Sequence, residues 1–230
     1  MMSPKRIAGL ILAVSIALFP GIGWSAGAGE AGDVFDLLDA PLTYSADFYF
    51  VTKKWTVKGK VYHAPGKERR EYRWRDEDQI LLLRRDLMQA YWLLPSRRMY
   101  VSLALDNLGE AGDGLNALVL NRTFEGGEKL DGVDVRRFRI TGESPAGTRF
   151  AGTIWQNPEG VVVKATGTDT FFVKQGTPVE IGLGNITYGN QDDSLFDLPV
   201  GYVGVSLKNA SDIAELNRLL SSFSRQKLGK

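Results

Sequence analysis

The chain contains no cysteine among its 230 residues. Disulfide bonds, thiolate metal ligands and cysteine nucleophiles are therefore excluded. The acylated cysteine that anchors a bacterial lipoprotein is excluded for the same reason. Small exported domains often depend on disulfides, so this fold must be held together by its hydrophobic core instead.

Histidine is nearly as scarce, because His63 is the only one in the sequence. A Ser-His-Asp triad would have to use this residue, and no strand–turn–helix elbow for a nucleophile accompanies it. Metal binding also needs partner ligands at a workable spacing. We therefore expect His63 to be a surface residue at the end of a strand. We expect no enzymatic activity, no catalytic residue, no metal site and no cofactor.

An excess of charge of one sign is also missing. The chain has 28 Lys and Arg residues against 27 Asp and Glu residues. Nucleic-acid-binding proteins usually show a strong basic excess, so this balance argues against a nucleic-acid partner. Basic pairs such as Arg69-Arg70 and Arg84-Arg85 are scattered along the chain. Such pairs are typical of solvated strand edges and turns.

Only one long apolar run is present, and it lies at residues 7–19. Its 13 residues are short for a membrane-spanning helix. Lys5 and Arg6 precede the run, and an Ala-Gly-Ala triplet at residues 26–28 follows it. This order predicts a secretory signal peptide cleaved after Ala28, with an uncleaved anchor as the alternative. The exported part, about 200 residues long, is enough for one domain with a sizeable core.

From Tyr44 onward the hydrophobic pattern has a period of two. Phe48 and Phe50 alternate with Asp47 and Tyr49, for example. Turn signals rich in Gly, Pro, Asn and Asp separate such runs at intervals of about 8–12 residues. The pattern predicts a mainly β fold with a single curved antiparallel sheet of about ten or eleven strands.

Two helices are expected at the ends of this sheet. Asp33 is a candidate cap for a short helix that ends before Pro41, after a flexible start at residues 29–32. Residues 211–224 place their leucines on one helical face and predict an amphipathic helix. The expected organisation is a signal peptide at 1–28, a β domain at 29–205, and a C-terminal helix with a basic tail at 206–230.

The strands carry many bulky apolar side chains. Trp55, Trp74, Trp92 and Phe138 are among them. An ordinary core would account for them. The alternative is a cavity beneath the helices that holds an acyl chain or another lipid, as curved antiparallel sheets often do.

Three blocks of sequence resemble the periplasmic lipoprotein-carrier superfamily, called LolA-like. They are residues 59–69 (Gly-Lys-Val-Tyr to Pro-Gly-Lys-Glu-Arg), residues 80–95 (Ile-Leu-Leu-Leu to Tyr-Trp-Leu-Leu-Pro), and the closing motif Ser-Leu-Phe-Asp-Leu-Pro-Val-Gly-Tyr at 194–202. The similarity spans roughly residues 33–205, and the order of the three blocks along the chain matches the family.

The resemblance implies an unclosed β-barrel with a helical lid that carries acyl chains on its concave side. The superfamily includes LolA and LolB, outer-membrane lipoprotein-sorting proteins, mycobacterial lipid carriers and the lipid-sensing domain of RseB-type regulators. The sequence departs from the family where residues 84–89 replace an Asp-Gly turn. The family's functional arginine on the third strand has only approximate counterparts in Arg69 or Arg70.

We therefore expect a periplasmic protein, soluble after signal cleavage, that binds lipids or lipoproteins and shuttles them between membranes. The alternative is a non-catalytic envelope module, either a lipid-responsive sensor or a transporter accessory whose 211–224 helix docks a partner. For either role, the expected partners of the protein are acyl chains of lipids or lipoproteins, together with envelope membrane proteins. Strand parity selects the lipid-facing candidates Phe48, Phe50, Val57, Val61, Tyr72, Trp74, Trp92, Leu94, Met99, Val101, Phe138, Ile140 and Ile154.

Overall fold

The computed structural model describes residues 30–33, 40–74, 76–105, 119–143, 149–169 and 177–207. The predicted signal peptide, the predicted short helix after Asp33, the loop at 106–118 and the predicted helix at 211–224 lie outside these ranges. Among the described residues, no helix combines the length and hydrophobicity needed to cross a membrane.

The described residues form one sheet of 13 strands. The strands are β1 (Glu30–Asp33), β2 (Tyr44–Thr52), β3 (Thr56–Ala64), β4 (Lys67–Trp74), β5 (Glu77–Arg84), β6 (Gln89–Leu94), β7 (Met99–Ala104), β8 (Val119–Leu130), β9 (Val133–Glu143), β10 (Arg149–Gln156), β11 (Val162–Asp169), β12 (Thr177–Tyr188) and β13 (Val203–Leu207).

The strand order is β1-β8-β9-β10-β11-β12-β2-β3-β4-β5-β6-β7-β13. Neighbours pair antiparallel except β13, which pairs parallel with β7. Strands β1 and β13 are the two edges of the described sheet, so it does not close on itself. The prediction of a single, mainly antiparallel and unclosed β sheet is confirmed, and the architecture is that of an open half-barrel.

The two edge strands were not expected. Residues 30–33 form β1, which pairs with β8 from Glu30↔Arg122 to Asp33↔Val119, instead of a flexible start followed by a helix cap at Asp33. The short sequence Glu-Ala-Gly-Asp has no alternating pattern, so only pairing with a neighbour reveals it as a strand. Strand β13 crosses the predicted domain boundary at 205 because residues 189–202 deliver the chain to the free edge of β7.

Two successive hairpins use the same turn. A 3₁₀ turn at Arg85–Leu87 joins β5 to β6, and another at Pro95–Arg97 joins β6 to β7. Each ends on a residue in the left-handed region, Met88 with φ 52° and Arg98 with φ 50°. Residues 84–89 thus reverse the chain without the Asp-Gly pair that the family would place there.

The sheet has two chemically distinct faces. The apolar face is defined by Ala46, Phe48 and Phe50 of β2 and by every side chain in register with them, and these three residues are buried. The polar face carries the alternating residues, among them Asp47 and Lys60, which form an ion pair. Because side chains alternate along a strand, this pattern assigns each face of each strand.

Over strands β4 to β6, the closing motif covers the polar face. Leu82 and Leu93 pack there against Phe196 of the closing motif, and all three are buried. Arg69 Nη1 donates to the carbonyl oxygen of Leu195 at 3.0 Å, and Arg84 Nη1 donates to that of Phe196 at 2.8 Å. The closing motif is therefore a strap across the outside of the sheet.

Candidate functional site

The register places all thirteen lipid-facing candidates on the apolar face. Pairs such as Phe50↔Val57 and Gly59↔Tyr72 carry this face from β2 through β3 to β4. Trp92↔Val101 continues it on β6 and β7, and Ile154↔Phe138 on the other side of the sheet. Paired residues in an antiparallel ladder point the same way, so the strand parity chosen from the sequence matches the parity of the structure at each of these positions. Lipid contact by these residues remains a prediction.

The middle of the apolar face is an aromatic cluster formed by β2, β4 and the connection between β2 and β3. The rings of Phe50 and Trp55 stack with centroids 5.0 Å apart. Trp55 meets Trp74 edge-on at 5.3 Å, and Phe48 meets Tyr72 edge-on at 6.3 Å. Trp55, Tyr72 and Trp74 are only partly buried, so this cluster keeps accessible aromatic surface.

Trp92 lies towards one edge of the face, on β6. Its Nε1 donates to Gln79 Oε1 at 3.2 Å, which holds the indole against the sheet. Leu94 and Val101 are buried beside it. Phe138 lies towards the other edge, on β9, and seven strands separate β9 from β6 in the sheet order. The middle strand in that order is β2, so Phe48 and Phe50 occupy the sheet's midline.

Phe138 is flanked by two guanidinium groups. Arg122 lies 4.8 Å and Arg136 5.1 Å from the ring centroid, and Arg136 also lies 5.2 Å from the ring of Phe124. Phe124 is 55% exposed, whereas Phe138 is buried. Cation–π contacts of this kind let charged side chains share an apolar face with aromatic ones. This end of the face is therefore both aromatic and basic.

A buried polar cluster on the apolar face was missed from the sequence. His63 is 0% exposed, which shows that its prediction as a surface residue is wrong. Its Nε2–H donates to the carbonyl oxygen of Ala40 at 3.1 Å, and its ring stacks on Tyr44 at 4.9 Å. Glu68 accepts a hydrogen bond from Arg70 Nε and places its other oxygen 3.8 Å from His63 Nδ1. His63 follows Val57 and Val61 in strand parity, and that signal should have outweighed its position at a strand end.

The structure also separates the two arginines that the family resemblance could not tell apart. Arg70 is 2% exposed and lies on the apolar face, 5.4 Å from the ring of Phe48. Arg69 points to the polar face, where it bonds Glu71 and the strap. Arg70 is therefore the arginine placed on the candidate site. The reading of basic pairs as solvated is wrong for this pair.

Several buried leucines of the apolar face were not among the candidates. Leu81 and Leu83 of β5 pair with Trp92 and Ala90 on β6. The run Ile-Leu-Leu-Leu at 80–83 is apolar on both faces, because the strap covers its outer side. A strand covered on both sides shows no alternation, so parity could not assign it from the sequence.

A cavity of about 740 Å³ lies between the β8–β9 turn and strands β2, β3, β11 and β12. Asp47, Tyr49, Lys58, Lys60 and Lys164, from the polar face, are among its lining residues. Asp47 pairs with Lys60, which holds the pKa of that carboxyl below its usual value. Burial and the nearby Glu180 carboxylate raise the pKa of Tyr49 to about 12. The charged lining distinguishes this cavity from the apolar face. The cavity expected beneath helices depends on residues outside the described ranges.

No protein-family model matches the chain, and no curated protein matches it. The chain is similar to solved structures of an uncharacterised conserved protein from Thermus thermophilus, a LolA superfamily protein from Nitrosomonas europaea and the lipoprotein LppX from Mycobacterium tuberculosis.

The identities are low in all three comparisons. The Thermus protein is 13% identical with a TM-score of 0.48, over 73% of this chain and 91% of that one. The Nitrosomonas protein is 10% identical with a TM-score of 0.35, over 68% and 90%. LppX is 11% identical with a TM-score of 0.37, over 70% and 90%.

Proposed function

We propose that this protein is a periplasmic lipid- or lipoprotein-binding carrier that buries acyl chains against the apolar face of its half-barrel. The observation that carries the proposal is the continuity of that face. Thirteen apolar side chains chosen by parity lie on one side of an unclosed sheet and are spread over seven strands, namely β2, β3, β4, β6, β7, β9 and β10.

The physical basis of binding is the transfer of methylene groups from water to an apolar surface. Burial of apolar area contributes about 25 cal/mol per Å². This attraction is non-directional, so an acyl chain held in this way is released to any acceptor that offers a comparable apolar environment. Such reversible burial suits a shuttle between two membranes, in the trafficking of lipids or lipoproteins to an outer membrane.

Binding rather than catalysis is the role that the chemistry of the face supports. His63, Glu68 and Arg70 form its buried polar cluster, and Arg70 and Glu68 neutralise each other. Within the described ranges, no group of three or more His, Asp or Glu side chains is arranged to hold a metal ion. The buried charges of Arg70 and Glu68 are thus matched to each other.

The experiment that tests the proposal begins with the purified exported protein. Extraction with organic solvent followed by mass spectrometry should identify a co-purified acyl lipid, and a fluorescent fatty acid should bind. The variant Trp92→Glu places a carboxylate among acyl methylenes, where an unpaired charge is costly. We expect its affinity for the probe to fall at least about tenfold, which corresponds to about 1.4 kcal/mol.

The matched control is Lys58→Glu, because Lys58 is exposed on the opposite face of the sheet. This variant should bind the probe as the wild type does. Both variants must show a cooperative thermal transition. A wild-type protein that binds no acyl probe, or a folded Trp92→Glu variant that binds as tightly as the wild type, would contradict the proposal.

A further inference from the structure

Strand β4 places a row of four side chains with polar atoms on the apolar face. They are Glu68, Arg70, Tyr72 and Trp74, which alternate along the strand. On β5 they pair with Leu83, Leu81, Gln79 and Glu77, in that order. A strand rises about 3.3 Å per residue, so consecutive members of this row stand about 7 Å apart. The row crosses the face next to its aromatic midline.

The first two members of the row satisfy each other. Arg70 Nε donates to Glu68 Oε1, and both side chains are 2–3% exposed. A buried ion pair of this kind has no net charge to offer a ligand. Arg70 and Glu68 therefore do not make the face selective for anions.

The other two members carry buried donors with no acceptor among the described residues. The hydroxyl of Tyr72 and the indole Nε1 of Trp74 are both inaccessible to solvent, and within the described ranges neither has a hydrogen-bond partner. A buried polar group left unpaired destabilises the fold, and most buried groups in native proteins are paired. Two unpaired donors on neighbouring positions of one face therefore need an explanation.

Packing fixes both donors in place. The ring of Tyr72 lies edge-on to Phe48, and that of Trp74 lies edge-on to Trp55. Burial raises the pKa of the Tyr72 phenol, so its hydroxyl stays protonated and remains a donor.

We infer that the Tyr72 hydroxyl and the Trp74 indole donate hydrogen bonds to the carbonyl oxygen of an acyl ester or amide, so that the ligand is an acyl group with its carbonyl and not a bare hydrocarbon. This inference rests on the proposed function and specifies the ligand of the same face. A carbonyl oxygen has two lone pairs and can accept from both donors. A free carboxylate gains less, because the only cation in the row is already paired with Glu68.

The test compares two ligands that differ only in the carbonyl, monopalmitoylglycerol and the hexadecyl ether of glycerol, by isothermal titration calorimetry. The wild type should bind the ester about tenfold more tightly than the ether, the effect of about one to two net hydrogen bonds. Palmitate should bind no more tightly than the ester. In Tyr72→Phe, the preference for the ester should fall to about threefold or less, while affinity for the ether stays the same.

Tyr91→Phe is the matched control, because Tyr91 lies on the polar face against Tyr100. It should leave both affinities unchanged. Tyr72→Phe should also keep or raise the melting temperature, since the hydroxyl that it removes is unpaired in the free protein.

Each contrary result has a distinct meaning. Equal binding of ester and ether by the wild type overturns the carbonyl site but leaves the carrier function standing. If Tyr72→Phe lowers the affinity for both ligands equally, Tyr72 acts only through packing, and the carbonyl site is overturned as well. Tighter binding of palmitate than of the ester overturns it in favour of an anion site. Binding of neither ligand by the wild type overturns the proposed function and this inference with it.

Discussion

Arg69 and Arg70 are adjacent in the sequence and have opposite roles in the fold. Arg70 turns to the apolar face and pairs with Glu68, whereas Arg69 turns to the polar face and bonds the carbonyl oxygen of Leu195. The difference follows from the two-residue period of a strand. The same period carries His63 to the buried face, where it stacks on Tyr44. At the scale of single residues, parity decides role more strongly than residue type.

Gly59 is required by close packing at the centre of the site. A Cβ at this position would overlap the carbonyl oxygen of Glu71 and fall 2.8 Å from the ring of Phe48. We expect Gly59→Ala to lower the free energy of unfolding by about 3 kcal/mol or more, the upper range for overpacking. Chemical denaturation measures it.

Gly184→Ala provides the control, because Gly184 is also a strand residue and has no heavy atom within 4 Å of an added Cβ. It should change the free energy of unfolding by no more than about 0.5 kcal/mol. Equal stability of the two variants would show that β3 and β4 do not approach as closely at Gly59 as the structure has them.

At the scale of elements, the strap connects β12 to the edge strand β13. It leaves β12, crosses the polar face and ends in β13, parallel to β7. Arg84 holds it by donating to the carbonyl oxygen of Phe196 and by pairing with Asp197. Arg84 also pairs with Asp86, in the turn beside it. The Arg84 guanidinium lowers the pKa of Asp86, so this cluster stays charged at neutral pH.

Replacing Arg84 with glutamine should loosen the strap. The variant Arg84→Gln removes the cation of this cluster and its donor to Phe196, while Leu82, Leu93 and Phe196 keep their apolar contact. We expect amide hydrogen exchange at residues 195–203 to become about tenfold faster, the effect of losing about 1.4 kcal/mol of local stability. Arg73→Gln is the control, because Arg73 is exposed and pairs with Asp78, which is not part of the strap. If the exchange rates at residues 195–203 stay the same in Arg84→Gln, the apolar contacts alone hold the strap. That result would contradict the role given to Arg84.

The sequence predicted most strands and turns because most of them alternate between a wet and an apolar face. Strands β2, β3 and β4 are the clearest cases, and their parity also located the apolar face. Strands β1 and β13 were missed because edge strands this short exist only through their neighbours. The unpaired donors of Tyr72 and Trp74 could not be predicted either, since hydrogen-bond satisfaction depends on what the folded chain places beside each atom.

At the scale of the whole molecule, the two faces divide the four tryptophans of the described residues. The fifth, Trp24, lies in the predicted signal peptide. Trp55, Trp74 and Trp92 belong to the apolar face. Trp155 lies on the polar face, where its Nε1 donates to Glu128 and Lys164 lies 5.6 Å from its ring. A ligand bound to the apolar face should therefore approach the first three indoles and leave the fourth in its present surroundings.

A brominated fatty acid can measure this division, because bromine quenches indole fluorescence at close range. In the wild type, we expect the acid to quench the fluorescence only in part. Trp155→Phe should increase the quenched fraction, since it removes an emitter that lies across the sheet from the ligand. Trp92→Phe should decrease it, since it removes one that lies beside the ligand. Both substitutions delete one tryptophan and keep an aromatic ring, so each is the other's control. The reverse order of the two quenched fractions would place the acyl chain on the polar face, next to the charged cavity, and would contradict binding at the apolar face.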